Sequence, residues 1–162
     1  MNRLVIAFAF IAGAVAAPRA MPRFGGPISG IQTSDYGTGS GWIQPMTATY
    51  GWDDPSNSLI VKTQAFSCCN TYYQGFYLLY GHQALPSPFP LMNPPFWDGS
   101  NLYILPDDAI GFFSGNTATI PIPPDPLLVG VEFHLQCLGQ WFTTIGFSTD
   151  YGVSQATKLM FF

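Results

Sequence analysis

Residues 116–136, NTATIPIPPDPLLVGVEFHLQ, decide the fold, because they join two strand-like runs through a proline-rich hinge. The second run alternates apolar residues with polar or small ones: Val129, Val131, Phe133 and Leu135 against Gly130, Glu132, His134 and Gln136. This period of two is typical of a β-strand with one buried and one solvated face. Proline lacks a backbone donor and restricts the residue before it, so the hinge excludes a helix across the join. The stretch therefore predicts two β-strands.

Other strand-like runs lie at residues 42–50, 59–66, 72–80, 101–105, 109–113, 141–148 and 155–161, and the second run above is assigned to 127–137. Turn residues, mainly Gly, Asp and Pro, separate these runs. Residues 81–100 contain five prolines beside apolar side chains, which favours an ordered loop over an edge of the core. Because no helical pattern of useful length is present, the sequence predicts an all-β fold, a single antiparallel β-sandwich of about eight or nine short strands.

The N-terminal end has the pattern of a secretory signal peptide. The short positive start Asn2-Arg3 precedes an apolar run that ends in the small residues Ala14-Val15-Ala16. The apolar run is too short for a permanent membrane anchor. The predicted organisation is a signal peptide at 1–16, a flexible, disordered Gly/Pro/Ser-rich leader at 17–41 and the β-sandwich domain at 42–162. We therefore expect a secreted protein, extracellular or at the cell surface, with no transmembrane anchor after cleavage.

Two apolar residues in the leader, Ile28 and Ile31, stand out among glycines and small polar residues. They predict a donor strand that adds to the open sheet edge of a neighbouring copy. Persistence of assemblies after deletion of residues 17–41 would contradict this mechanism.

The charge content excludes several classes of partner. Charged residues make up 9% of the chain, the net charge is −4, and Lys and Arg together number 5. Such a chain has no electrostatic footprint for nucleic acid and no polybasic patch for anionic lipid. A surface so poor in charge resists association weakly, so the expected partners are other copies of the chain or surface glycans.

Three cysteines, Cys68, Cys69 and Cys137, are present, and export would expose them to an oxidising compartment. Cys69 and Cys137 share the inward phase of their strands, which favours a Cys69–Cys137 disulfide. The pairings Cys68–Cys137 and Cys68–Cys69 remain open. Neither His82 nor His134 stands at ligand spacing from a cysteine, so no metal site and no cofactor are predicted.

Acidic and histidine residues give no catalytic motif. Asp107-Asp108 after a proline is typical of a turn, and adjacent strand residues point to opposite faces. Glu132 and His134 fall on the predicted solvated face of their strand, without a serine or cysteine nucleophile at a recognisable elbow. We therefore predict that the protein is not an enzyme and name no catalytic residue.

Aromatic residues, at 16% of the chain, are more numerous than a small core needs. Exposed aromatic rings stack on sugars and anchor protein interfaces, although many rings in a small sandwich belong to its core. The candidate contacts for assembly or for glycans are Trp42, Trp52, Trp97 and Trp141.

The segments GFYLLYG (75–81), ALPSPFPL (84–91) and LYILPDDAIGFF (102–113) precede the stretch that decides the fold, and IGFSTDYG (145–152) follows it. In this order they resemble a β-sandwich domain of exported proteins in planctomycetes and related environmental bacteria, with an IPxDPxLVG-type signature. The matching positions are Ile120-Pro121, Asp125-Pro126, Leu128-Val129-Gly130, Phe133 and Gln136. The resemblance covers about residues 59–162 and implies a fold but no catalytic residues. The Cys68-Cys69 pair departs from it.

Together these features predict a non-enzymatic secreted protein, a structural or surface-assembly subunit of a filament or matrix. The alternative is a carbohydrate-binding or adhesion module that uses exposed aromatic rings. A small outer-membrane β-barrel is a lesser alternative, because several strands are too short and prolines too frequent for a repeated membrane ladder.

Overall fold

The computed structural model describes residues 28–41, 44–92 and 94–162. The predicted signal peptide, leader residues 17–27 and Trp42 lie outside them. The described residues form ten strands: β1 (Ile31–Tyr36), β2 (Thr47–Asp53), β3 (Ser58–Gln64), β4 (Thr71–Gly81), β5 (Gln83–Pro90), β6 (Asn101–Leu105), β7 (Asp108–Ser114), β8 (Thr117–Pro121), β9 (Glu132–Thr143) and β10 (Ser148–Phe161). A 3-10 turn at Pro126–Leu128 precedes β9. The predicted all-β fold is confirmed.

The strands form three antiparallel sheets. The central sheet has the order β1-β10-β9-β4-β7, and the smaller sheets are β2-β3-β8 and β5-β6. Leu78 of β4 belongs to the core formed with β3, whereas its neighbour Leu79 belongs to the core formed with β6. Successive strand residues point to opposite faces, so the small sheets cover opposite faces of the central sheet. These are called the β3 face and the β6 face below.

The larger core lies on the β3 face. Trp141 of β9 is 1% exposed, and its ring lies 4.3 Å from that of Trp97 and 4.9 Å from that of Tyr73, centroid to centroid. The indole Nε1 of Trp141 donates a hydrogen bond to the Phe66 carbonyl at 2.9 Å. A buried indole N–H usually has such a partner. Trp141 therefore ties the loop before β4 to the central sheet.

The folded domain begins earlier in the chain than predicted. Residues 28–41 were assigned to a flexible leader, but β1 lies within them and pairs along its whole length with β10. Ile28 is buried in the main core, and Ile31 pairs with Phe161. The predicted donor strand is thus part of its own chain's sheet. The pairing of this strand with β10 could not be recognised from its polar sequence, IQTSDY, because an edge strand is held by backbone hydrogen bonds and needs no apolar face.

Two other elements differ from the prediction. The proline-rich segment 81–100, predicted as a loop, contains β5, whose register with β6 shifts between Ala84 and Phe89. Prolines are tolerated there because β5 is an edge strand. The strands predicted at 127–137 and 141–148 are replaced by one strand, β9, which runs unbroken from Glu132 to Thr143.

Candidate functional site

The outer edge of β1 presents unpaired backbone groups. Gly30 and Phe162 exchange two backbone hydrogen bonds, each of 3.2 Å. Bonded and non-bonded pairs alternate along an antiparallel ladder, so Gln32, Ser34 and Tyr36 point their backbone groups at β10. The backbone groups of Ile31, Thr33 and Asp35 then point outward, and no strand among the described residues pairs with them.

The edges formed by β7, β5 and β2 carry features that obstruct pairing, whereas β1 does not. The ladder of β7 is interrupted by a bulge that contains Gly111, with φ +25°, and β5 contains Pro86, Pro88 and Pro90. The side chain of Gln155 bonds both the N–H and the C=O of Ala48 in β2. Bulges, prolines and covering side chains are the usual protection of an edge strand. β1 has an unshifted register, no proline and no lysine.

A polar cluster joins β1 to β9. The hydroxyl of Tyr36 lies 2.8 Å from Nδ1 of His134, whose Nε2 lies 3.4 Å from Oε1 of Glu132. Nζ of Lys158 lies 2.8 Å from the other oxygen of Glu132. His134 is 7% exposed, so the prediction that it lies on a solvated face is wrong. The ring of Tyr36 packs edge-on against the imidazole, because β1 covers this part of the β6 face.

Gln136 is also buried rather than solvated. Its side-chain oxygen accepts from the N–H of Tyr103 at 3.1 Å, and its amide nitrogen donates to the carbonyls of Asn101 and Ser154, each at 2.9 Å. One amide thus joins β6 to the central sheet. A buried amide is tolerated because its donors and acceptor are satisfied.

The protonation states of the cluster follow from burial. Burial, and next the charge of Glu132, raise the pKa of Tyr36 to about 12. Burial lowers the pKa of His134 against the opposing effect of Glu132. Tyr36 is therefore neutral at physiological pH, and the neutral form of His134 is favoured. The Tyr36–His134 contact joins β1 to β9 across the intervening strand β10.

A strip of exposed aromatic and amide side chains crosses the β6 face beside the β9–β10 hairpin. Tyr72 of β4 is the cross-strand partner of Phe142 of β9, whose ring centroid lies 6.4 Å from that of Phe147 in the hairpin turn. Tyr72 is 55% and Phe147 81% exposed. Next along the same strands, Nε2 of Gln140 donates to Oε1 of Gln74 at 2.9 Å. We call Tyr72, Gln74, Gln140, Phe142 and Phe147 the aromatic strip.

Three of the predicted tryptophan contacts, Trp52, Trp97 and Trp141, are not exposed platforms. Trp141 is in the core, and Trp97 is half-buried against it. Trp52 is half-buried, with its ring centroid 5.8 Å from that of Phe161, and its buried Nε1 has no partner among the described residues. Trp42 lies outside the described residues. The aromatic strip was not predicted, because its residues come together only through the register of β4 with β9. The sequence does show the two parts separately, as Y-x-Q in β4 and Q-x-F in β9.

The three cysteines are free thiols, so the predicted Cys69–Cys137 disulfide is absent. The backbone of Cys68 pairs with that of Thr71, and Thr71 is the cross-strand partner of Thr143 in β9. Thr143 lies six residues after Cys137 in that strand (143 − 137). That separation is about 20 Å along a strand, far beyond disulfide reach. Burial raises the pKa of the Cys137 thiol to about 12. Nor are Cys68 and Cys69 joined, since both are free thiols.

An apolar cavity of about 170 Å³ lies between the β3 face and the small β2-β3-β8 sheet. Its walls are aliphatic and aromatic: Leu59, Leu78, Tyr80, Ile110, Ile120, Ile122, Pro123, Leu128, Phe133, Leu135, Leu159 and Phe161. The pocket is partly open to solvent rather than sealed inside the core. The walls supply no hydrogen-bond specificity beyond the hydroxyl of Tyr80.

The remaining candidates from the sequence are surface features. Asp107, in the turn between β6 and β7, contacts the ring Nδ1 of His82, between β4 and β5, at 2.5 Å, and both side chains are exposed. The carboxylate of Asp108 accepts a hydrogen bond from the N–H of its neighbour Ala109. Within residues 28–41, 44–92 and 94–162, no group of three or more His, Cys, Asp or Glu could hold a metal ion. Over the same residues, no helix has the length and apolar character needed to cross a membrane.

Comparison with protein-family models, with curated proteins and with solved structures returned no match for this chain. The resemblance to exported β-sandwich domains therefore stays a prediction, as do the secretion and the non-enzymatic character.

Proposed function

We propose that the protein is an exported structural subunit that associates with a second copy of itself through the edge of β1. The observation that carries this proposal is the outward N–H and C=O groups of Ile31, Thr33 and Asp35, on an edge without the obstructions found on β2, β5 and β7. The scarcity of charge on the chain supports it, since few like charges oppose the approach of two copies.

The edge of β1 is suited to pairing with itself. Two copies related by a two-fold axis pair antiparallel, and the outward groups meet when Thr33 lies opposite the Thr33 of the second copy. Ile31 then faces Asp35, so the two Asp35 carboxylates do not oppose each other. Each Asp35 carboxylate already accepts a hydrogen bond from Thr157. Threonine pairs are among the favourable cross-strand contacts. The two five-stranded sheets would join into one continuous sheet.

Substitution of Thr33 tests this arrangement. Proline at this position removes the outward N–H but leaves the bonds to β10, because Gln32 and Ser34 make those. We expect wild-type protein and Thr33→Val to sediment as dimers and Thr33→Pro as a monomer, measured by analytical ultracentrifugation. Far-ultraviolet circular dichroism and the melting temperature check that each variant folds.

A second variant covers the case in which Thr33→Pro fails to fold. Thr33→Lys keeps the backbone donor and places two like charges opposite each other at the two-fold axis, which destabilises a cross-strand pair. It should also be monomeric. A monomeric wild-type protein would contradict self-association, and dimers that persist in a folded Thr33→Lys would show that another surface mediates it.

A further inference from the structure

The strongest unexplained surface is the aromatic strip, and we propose that it binds a neutral polysaccharide. This goes beyond self-association, because it assigns the protein an external ligand and a separate surface. Tyr72 and Phe147 are largely exposed, and Phe142 lies half-buried between them. Exposed rings of this size leave apolar area in water, at about 25 cal/mol for each Å² that a ligand could cover.

The arrangement of the rings fits the apolar face of a sugar. Tyr72 and Phe142 are cross-strand partners, so their side chains leave the same face on strands about 4.8 Å apart. Phe147 extends this surface from the hairpin turn toward solvent. Tyrosine also brings a hydroxyl to the edge of the ring surface, and aromatic groups with a polar edge suit a ligand with both apolar and hydroxyl surfaces.

The amides beside the rings supply the hydrogen bonds that hydroxyl groups require. Gln74 and Gln140 share one hydrogen bond between Nε2 of Gln140 and Oε1 of Gln74. A primary amide has two donors and two acceptor lone pairs. The amino group of Gln74 and the side-chain carbonyl of Gln140 are not used in this bond and can therefore bond a ligand. The bond between the two amides also fixes their positions.

The strip contains no charged residue, which selects a neutral ligand. Its members are tyrosine, phenylalanine and glutamine only. Asp150 of β10 is the cross-strand partner of Trp141, so its carboxylate lies on the β3 face, opposite the strip, where it accepts hydrogen bonds from Thr143 at 3.0 Å and from Ser148 at 3.4 Å. A polyanion would also meet a chain of net charge −4. The chemistry therefore favours an uncharged glycan over an acidic one.

Binding to insoluble cellulose, insoluble chitin and soluble neutral xylan tests the proposal, with alginate as the polyanionic comparison. We expect the wild-type protein to bind at least one neutral polymer and Tyr72→Ala to weaken that binding about ten-fold or more. Tyr72→Phe should retain most of the affinity, because it keeps the ring. Gln74→Ala should weaken binding by removing the donors without disturbing the rings.

Phe89→Ala is the matched control, because Phe89 is comparably exposed, at 60%, but lies on β5 outside the strip. Its binding should equal that of wild type. Equal losses in Phe89→Ala and Tyr72→Ala, or an absence of binding to all three neutral polymers, would overturn the proposal. Binding to alginate alone would also overturn it.

The self-association proposal and the polysaccharide proposal can be contradicted by different results, because they concern different surfaces. In the central sheet, β10 and β9 lie between β1 and β4, so the strip does not share the β1 edge. Monomeric Thr33→Lys should bind the polymer with the affinity of a single site, and Tyr72→Ala should still dimerise. Loss of dimers in Tyr72→Ala would identify the strip as a protein contact instead.

Discussion

At the scale of single residues, His134 departs most from what its position in the sequence implies. The alternation of β9 places it opposite the apolar positions, yet β1 covers it with the ring of Tyr36. The groups that face the imidazole are Tyr36 from β1, Glu132 on its own strand, Lys158 from β10 and His82 after β4. Burial outweighs the attraction of Glu132, and the pKa of His134 falls below its ordinary 6.5.

This shift predicts that acid destabilises the fold. The unfolded chain binds a proton on this histidine at a higher pH than the folded chain does, so the free energy of unfolding decreases as pH falls below about 6.5. The contribution is fully present above that pH. In His134→Gln the decrease between about pH 6.5 and the lower folded pKa should be smaller. Thermal melting of both proteins across this range measures it.

His82→Gln is the control for that measurement, because His82 is exposed and contacts Asp107 of the β6–β7 turn. It should keep most of the wild-type pH dependence. If His134→Gln retained the full acid destabilisation, the buried imidazole would not be its source.

At the scale of elements, local sequence predicted most strands, missed β5, and expected the strand around Ile28 and Ile31 to pair with a neighbouring copy rather than with β10. The alternation in β3 and the apolar run of β4 were sufficient to locate those strands, because their side chains form the core. β5 was missed because its prolines argue against a ladder, and only an edge position reconciles them with a strand. β1 was assigned to the leader because its sequence, IQTSDY, is mostly polar and shows no apolar alternation.

The residues of the aromatic strip could not be grouped from the sequence, because they are brought together by long-range strand register. The pairing of Tyr72 with Phe142 and of Gln74 with Gln140 joins residues about seventy positions apart, and no local pattern records it. The same holds for the disulfide prediction. The alternation of apolar residues correctly placed Cys137 on the inward face. Only the pairing of Thr71 with Thr143 shows how far Cys68 and Cys69 lie from Cys137.

Close contact between two elements gives a prediction at this scale. A Cβ on Gly81, at the end of β4, would lie 2.0 Å from the carbonyl oxygen of Leu105 in β6. Backbone atoms cannot move aside as a side-chain tip can, so Gly81→Ala should lower the free energy of unfolding by about 1–3 kcal/mol. Urea denaturation measures the loss.

Gly51→Ala in β2 is the matched variant for that measurement, since its Cβ would meet only Ile60 at 3.9 Å. Its stability should stay within about 0.5 kcal/mol of wild type. Equal stabilities of the two variants would show that β6 does not approach β4 as closely as the structure places it.

At the scale of the whole molecule, the two proposed surfaces combine into one role. A dimer joined through β1 would carry two aromatic strips, one on each subunit. Two linked sites bind a polymer more strongly than either alone when both can engage it. Such a dimer could join neighbouring polysaccharide chains, which is consistent with the structural subunit proposed above.

The low charge of the molecule gives a final test of how the copies associate. The chain has 5 basic and 9 acidic residues, and the proposed interface consists of backbone hydrogen bonds with Asp35 facing Ile31. Screening reaches about 3 Å at 1 M salt and about 30 Å at 0.01 M, so ion pairs across an interface would weaken over that range. The dimer dissociation constant should instead change less than about three-fold, measured by sedimentation. Much weaker dimers at high salt would mean that charged side chains, rather than the β1 backbone, join the two copies.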